Sequence, residues 1–351
     1  MNSPQRILIV LPSWVGDVVM ATPTLRAVRS RFPDAHFAAL VRSYVRPLLD
    51  PIPWCDDLIV SPPADTSDPE SPTRESTLRL ARRLHRERLD LAVLLPNSFR
   101  AALLTCLARI PRRVGYARDN RSWLLTDRLD PPRDGRRFTP TPALDYYLKL
   151  AQHLGADTAD TAMQLFTRPE SERRADILWR DAAIPADHPV VLLNPGAKYG
   201  DAKMWPPDRF AQVGDQLIDQ HHATILLSGA PNERPILDAV QAAARHPFID
   251  LQSRGSDLSL IKSIIRRCDL AITNDTGPRH IAAAFAVPVI SIFGPTDPQW
   301  TDIHFTRERI IRHPVDCGPC GKKICPLDHR CMTLIPPERV AIEAADLLYQ
   351  T

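Results

Sequence analysis

The sequence predicts an α/β protein built from two parallel sheets covered by helices, and three observations carry that reading. Short apolar runs at 7–11, 36–41, 89–95, 190–194, 223–228, 269–273 and 288–293 have the length and composition of buried strands. Most are followed by amphipathic stretches of helical length, including 18–32, 97–109, 207–221, 232–245, 257–268 and 277–286. Strand and helix alternating in this way imply parallel sheets whose crossovers are helices. The third observation is size: 351 residues, 44% of them hydrophobic, exceed one ordinary domain and fill two cores.

The division falls where the pattern turns polar, between Thr167 and Pro189, ending in "IPADHP" before a new set of strands begins. The expected organisation is a domain at 1–170, a linker at 171–189 and a second domain at 190–351 that closes with a helix at 337–350. Proline-rich stretches at 47–72 and 131–142 read as ordered loops, because helical patterns resume directly after each. The opening residues Met1 to Gln5 show no basic segment leading into a long apolar stretch, and no run approaches eighteen apolar residues. A cytoplasmic protein is expected.

A formal charge of +3 is too near balance to indicate nucleic acid, but the charge is uneven. Residues 1–180 hold 27 basic and 21 acidic side chains, against 17 and 20 in the remainder. Ten arginines, four aspartates and no lysine lie between Asn97 and Arg137. Guanidinium forks suit phosphates and carboxylates, so this stretch is either a site for a large anionic partner or a solvated surface.

Motifs cluster at strand ends. "LPSWVGDVVMATP" leaves the first strand and turns into a helix at Gly16, a geometry that often seats a phosphate on free N–H groups. Asp17 follows that glycine and would repel a phosphate, so this turn serves another purpose. The second domain offers the anion site instead. "AITNDTGPRHIAAAFAVPVISIFGPT" reads as strand, turn, helix and strand, with Pro278 in the first helical turn. The N–H groups of Thr276 and Gly277, the Thr276 hydroxyl and His280 can meet a diphosphate there. The alternative makes Asp275 a helix cap and His280 a surface residue. "LLNPGAKYGDAKMWPPDRF" carries Gly196, Lys198 and Lys203 from a neighbouring strand end, where an ammonium can neutralise a diphosphate leaving group. Lys203 is the first choice and Lys198 the reserve. "LLSGAPNERP" brings Glu233 to a position suited to ribose hydroxyls or, equally, to a first helical turn.

Taken together, "PSWVGDVVMATP", "LLPNSFRAALL", "RVGY", "NPGAKYGDAKMWP", "SGAPNE" and "NDTGPRHIAAA" resemble, in content and order, the ADP-heptose:lipopolysaccharide heptosyltransferases of glycosyltransferase family 9. The resemblance implies the GT-B fold: two Rossmann-like domains whose parallel sheets face each other across a cleft, the acceptor on the first and the ADP-sugar on the second. It implies an inverting transfer of heptose from ADP-L-glycero-D-manno-heptose to a heptose of the lipopolysaccharide inner core. Asp17 matches the family's general base and Lys203 its phosphate-contacting lysine. Asp275, Thr276, Gly277 and His280 match the donor-binding turn, with Gly196, Lys198 and Glu233 beside it. Ser13, Trp14 and Gly16 fall on the acceptor-side loop, and Asn97, Ser98 and Arg100 would face the acceptor. No catalytic metal is implied, and the partners are ADP-heptose, an anionic inner-core acceptor and, peripherally, the cytoplasmic face of the inner membrane. A transferase of the same family using another nucleotide-sugar or acceptor is the alternative within the class. A non-catalytic nucleotide- or metal-binding protein is the alternative outside it.

One motif stands apart. "CGPCGKKICPLDHRC" places Cys317, Cys320, Cys325 and Cys331 within fifteen residues, with His329 among them. Four thiols so close suggest a structural metal, zinc above iron–sulfur, although a disulfide pair or free thiols also satisfy the pattern. If the segment reaches the acceptor, its loss should raise the acceptor KM more than the donor KM. Cys55, Cys106 and Cys268 lie in apolar patterns and read as core residues.

Overall fold

A computed structural model describes residues 3–61 and 76–350. The chain divides into two compact units: one runs to Gln164 and includes Gln299–Asp302, and the other comprises Leu165–Pro298 and the residues from Ile303 onward.

The first unit is built on six parallel strands, β1 (Arg6–Val10), β2 (His36–Arg42), β3 (Asp57–Ser61), β4 (Leu91–Leu94), β5 (Arg112–Tyr116) and β6 (Asp127–Leu129), in the order β3-β2-β1-β4-β5-β6. The central strands β1 and β4 are almost wholly apolar because helices cover both faces, and Val10 lies between Leu40 and Leu94. A two-stranded antiparallel pair, β7 (Arg133–Asp134) and β8 (Arg137–Phe138), occupies the later proline-rich stretch. The part of the earlier stretch from 62 onward lies outside the described residues.

The second unit repeats the plan with β9 (Val190–Asn194), β10 (Thr224–Leu227), β11 (Ile249–Asp250), β12 (Leu270–Asn274), β13 (Val289–Phe293) and β14 (Glu308–Arg312), ordered β11-β10-β9-β12-β13-β14. Its core includes Trp205, which is fully buried, packs edge-on against Phe210 and donates its indole N–H to the Ile335 carbonyl at 3.2 Å. In each sheet the strand order reverses direction once, between β1 and β4 and between β9 and β12. Ligands of open parallel sheets bind outside the carboxyl ends of strands at such a point.

Two expectations change. The stretch expected as helix 18–32 is two helices, Val15–Met20 and Thr22–Arg31, because Pro23 enters the first turn of the second and has no N–H to continue the first. Most of the expected linker 171–189 is helical: Pro169–Asp181 packs in the second unit, with Ser171 bonded to Ser259 at 2.7 Å and Glu172 paired with Arg267 at 2.7 Å. Its polarity reflects a charged outer face. Among the described residues no helix is long and apolar enough to cross a membrane.

Candidate functional site

In the first unit, Asp17 lies in the opening turn of Val15–Met20, directly after β1 and half-buried. Trp14 supplies the extended residue before that helix and is about half exposed, while Gly16 sits inside the first turn. A negative carboxylate at a helix N-terminus is favoured by the dipole. The buried Tyr147 hydroxyl, from the helix Ala143–His153, donates to Asp17 Oδ1 at 3.0 Å. Burial, followed by the Asp17 charge, pushes the Tyr147 phenol well above its usual range and keeps it a neutral donor. Tyr44 donates to the Ser13 carbonyl and thereby ties the loop before the helix.

Ser13, Ser98 and Arg100 line a cavity of about 80 Å³ at the carboxyl ends of β1 to β4, together with Arg42 and Ser61. Burial and the neighbouring Arg100 charge hold the Arg42 guanidinium below its ordinary value. Two cations on one small cavity favour an anion between them. Ser98 also caps the helix Phe99–Leu107 by accepting from the Ala101 N–H at 3.3 Å. Asn97 has a different neighbourhood. Its side-chain oxygen accepts from Tyr146 Oη at 3.2 Å and Arg121 Nη2 at 3.4 Å.

The arginine-rich stretch is in large part consumed internally. Arg121 is fully buried, donates to the Pro96, Ser98 and Tyr116 carbonyls, and is pushed by burial down to about 10. Arg112 pairs with Asp127 at 2.5 Å, Arg113 donates to the Leu124 and Ile110 carbonyls, and Arg118 and Arg133 stack over Phe138. Arg100 is the member that lines the cavity.

In the second unit, Lys203 ends a short turn after β9, and its ammonium reaches the turn after β12, 2.5 Å from Asp275 Oδ2 and 3.1 Å from the Asp275 carbonyl. Asp275 is buried and accepts further from Thr296 Oγ1 at 3.0 Å, with Arg279 Nη1 at 3.4 Å. Burial alone would raise its carboxyl, but Lys203 and Arg279 outweigh that and hold it below the usual range. Arg279, fully buried, forks onto Glu308 at 2.6 and 2.9 Å. Asp275 therefore acts as the anchor for Lys203. The ammonium meets both the carboxylate and the carbonyl of that one residue.

Thr276, Gly277 and Pro278 are half-buried at the start of the helix Gly277–Ala284, while Asp275 and His280 are buried. His280 Nδ1 has no partner, and burial, with Arg279 next, drives the imidazole down to about 3. A neutral ring is buried where the sequence suggested a residue at the helix end. Glu233 lies over Gly196, where a Cβ would meet its carboxylate at 2.2 Å. Burial raises the Glu233 carboxyl against N–H bonds from Ala230, at 2.7 Å, and Ala197. That carboxylate fastens its own loop to the lysine loop. Lys198 is exposed.

The four clustered cysteines border one small cavity, but Cys317 and Cys320 are exposed, Cys331 is buried on the short helix Arg330–Thr333, and the His329 ring is occupied by the Ala202 carbonyl at 2.8 Å. Among the described residues no group of three or more His, Cys, Asp or Glu is arranged to hold a metal ion. The zinc expected at Cys317, Cys320, Cys325 and Cys331 is thus unsupported.

Sequence reasoning missed Tyr147, Arg121 and Arg279. Arg279 left a trace, since it stands one helical turn from Asp275.

A comparison with known protein families matches residues 77–330 to glycosyltransferase family 9 (heptosyltransferase). The chain belongs to that family. It is a glycosyltransferase. It is 28% identical to lipopolysaccharide heptosyltransferase 2 of Salmonella typhimurium over 98% of both chains. It is 30% identical to lipooligosaccharide heptosyltransferase 2 of Haemophilus influenzae over 87% of this chain and 88% of that one. Among solved structures, the E. coli ADP-heptose lps heptosyltransferase II aligns with a TM-score of 0.76 and 26% identity over 98% of each chain. A family 9 glycosyltransferase from Veillonella parvula shares the fold with a TM-score of 0.84 and 21% identity, over 99% of this chain and 98% of that one. The two six-stranded parallel sheets are those of the GT-B heptosyltransferases.

Proposed function

We propose that this glycosyltransferase moves a heptose from ADP-L-glycero-D-manno-heptose to a heptose of the lipopolysaccharide inner core with inversion at the anomeric carbon. The near full-length similarity to lipopolysaccharide heptosyltransferase 2 supports the sugar and acceptor class. The observation that carries the chemistry is the Lys203–Asp275 pair beside the half-buried N-terminus of Gly277–Ala284. A fixed cation and a helix dipole at one point suit a diphosphate whose charge grows as it leaves.

In the proposed mechanism Asp17 accepts the proton of an acceptor hydroxyl as that oxygen attacks the anomeric carbon. The bond from that carbon to the diphosphate breaks as the new glycosidic bond forms, and the electron pair leaves with ADP. Lys203 and the N–H groups of Thr276 and Gly277 take the developing charge. A single displacement leaves no sugar on the enzyme, so the configuration inverts. Asp17 needs to be ionised for this, which the helix N-terminus and the Tyr147 hydroxyl both favour. Ser13, Ser98 and Arg100 would meet an acidic group of the acceptor. The lipid portion of such an acceptor places the reaction at the cytoplasmic face of the inner membrane.

The test is a donor panel with ADP-heptose, ADP-glucose and UDP-sugars, read by nucleotide release with a lipopolysaccharide-derived acceptor and by the anomeric configuration of the product. Turnover of ADP-heptose with inversion is expected. Turnover of a non-heptose donor alone would replace the heptosyl assignment, and retention would remove the single displacement.

A further inference from the structure

The cysteine-rich segment has no part in the mechanism above, yet it packs on the turn that carries the lysine. Three hydrogen bonds and a close backbone approach help join them. His329 Nε2 lies 2.8 Å from the Ala202 carbonyl, the Ala202 N–H donates to the Lys323 carbonyl at 3.0 Å, and Tyr199 Oη donates to the Gly321 carbonyl at 2.5 Å. At Gly200, φ is +153°, and a Cβ there would sit 2.4 Å from the Lys323 carbonyl oxygen, so the two backbones meet at a distance no side chain permits. The Lys203 ammonium also lies 5.0 Å from the centre of the Tyr199 ring, so residues 199–203 form one unit with it.

The other side of the segment is fixed to the sheet. Gly321 N–H donates to the Pro295 carbonyl at 2.8 Å, just after β13, and Cys331 and Met332 enter the core against Gly294. The segment thus bridges the carboxyl ends of β9 and β13, which flank β12, and the turn after β12 holds Asp275. His329 adopts φ +59°, a left-handed conformation that a residue with a Cβ takes at a steric cost, and its ring reaches the neighbour of Lys203. A carbonyl only accepts, so Nε2 carries the hydrogen in this contact.

We infer that segment 317–331 is a brace that sets the Lys203 ammonium against Asp275, with His329 as a positioning residue. Its importance for transfer rests on Lys203 meeting the donor diphosphate as proposed above. The brace belongs to the donor side, so its loss should raise the donor KM and leave the acceptor KM in place, the reverse of the acceptor-side expectation for this segment.

The experiment has two readouts on the full-length protein. The first is the rate at which the Lys203 amine is acetylated by acetic anhydride, followed by peptide mass spectrometry in wild type, His329→Ala, His329→Gln and Tyr199→Phe. Losing a hydrogen bond to a buried carbonyl is worth on the order of a ten-fold change. Lys203 labelling is therefore expected to rise about ten-fold in His329→Ala, less in Tyr199→Phe, and to return toward wild type in His329→Gln, whose amide can donate to Ala202. Exposed Lys198 serves as the internal control. The second readout is the split between donor and acceptor KM. Unchanged Lys203 labelling in both His329→Ala and Tyr199→Phe would overturn the brace, and so would a rise confined to the acceptor KM. Should His329→Ala fail to fold, Tyr199→Phe decides alone, because it removes one hydroxyl at an exposed contact. Faster labelling with normal turnover in Lys203→Ala would uphold the brace while removing Lys203 from donor binding.

Discussion

The Tyr147 hydroxyl donates to one oxygen of Asp17 across 130 residues of sequence, at 3.0 Å. The phenol is buried and neutral, so it supplies a donor without supplying a charge. One carboxylate oxygen is thereby held in a fixed orientation. Tyr44, itself facing Arg42, also senses the Asp17 charge. Asp17→Asn is expected to cut kcat by about 10²–10⁴-fold with ADP-sugar affinity changed only a few-fold. Tyr147→Phe should lower kcat roughly ten-fold and move the acid limb of the rate profile to higher pH. That sign follows because a hydrogen bond to the carboxylate stabilises its charged form, and removing it makes the base easier to protonate. A pH–rate profile of the two variants checks both, and a Tyr147→Phe limb unmoved in pH would detach Tyr147 from the base.

The two lysines after β9 are expected to differ sharply. Lys203→Ala should slow transfer by about 10²–10³-fold and weaken ADP-sugar binding, whereas exposed Lys198→Ala should do less of both. Steady-state kinetics with varied donor give the ranking, and the reverse order would exchange their roles.

Asp275→Asn tests the anchor. It leaves Lys203 and the fully buried Arg279 short of a counter-charge, although Arg279 keeps Glu308. Removing one member of a buried ionic group costs about 3 kcal/mol or more because the partner stays buried and uncompensated. Urea unfolding should show that loss, together with a raised donor KM. A variant as stable as wild type would mean that the Asp275 charge is not what holds the lysine.

The central strands β1, β4, β9, β12 and β13 were legible because burial on both faces makes them continuous apolar runs. Strands toward the margins of the sheets were not. In β14, "ERIIR", and in β5, "RRVGY", polar residues interrupt the run, and nothing local separates a half-exposed strand from a loop. The strand-end residues of the site were legible as motifs, but their partnerships were not. Lys203 and Asp275 stand 72 residues apart, and only the β9–β12 pairing brings them together. Arg121 reads like its nine arginine neighbours until the fold buries it among backbone carbonyls. The burial of His280 was not legible, because helical spacing gives the turn but not which face is covered.

His280 makes a prediction about pH. Its folded value is depressed to about 3, while the unfolded chain titrates near the ordinary 6.5. Between those values the unfolded state binds a proton that the folded state refuses, so its contribution is complete above pH 6.5 and is lost as pH falls toward 3. The slope is about 1.4 kcal/mol per pH unit for one proton. Stability against urea, measured from pH 7 to 5 in wild type and His280→Gln, should fall more steeply in wild type by up to that amount per unit. Parallel curves would show that His280 is protonated in the folded protein.

Thiol chemistry separates the cysteines by position. Cys317 and Cys320 are exposed and should react first with an aromatic disulfide reagent, followed by the half-buried Cys325. Burial, with the neighbouring cysteines next, raises the Cys331 thiol, which should react more slowly. Cys268 should be last: it is buried, its thiol is driven far above the usual range by burial, and it donates to the Ile264 carbonyl at 3.3 Å. Reactivity follows thiolate fraction and access, so this order tests the arrangement directly. Protein purified without added zinc or a metal-chelating column should carry well under one metal per chain. All four thiols of the segment should then titrate without chelator. One metal per chain, released together with four protected thiols, would show that the segment closes around an ion and that the open thiol arrangement is wrong.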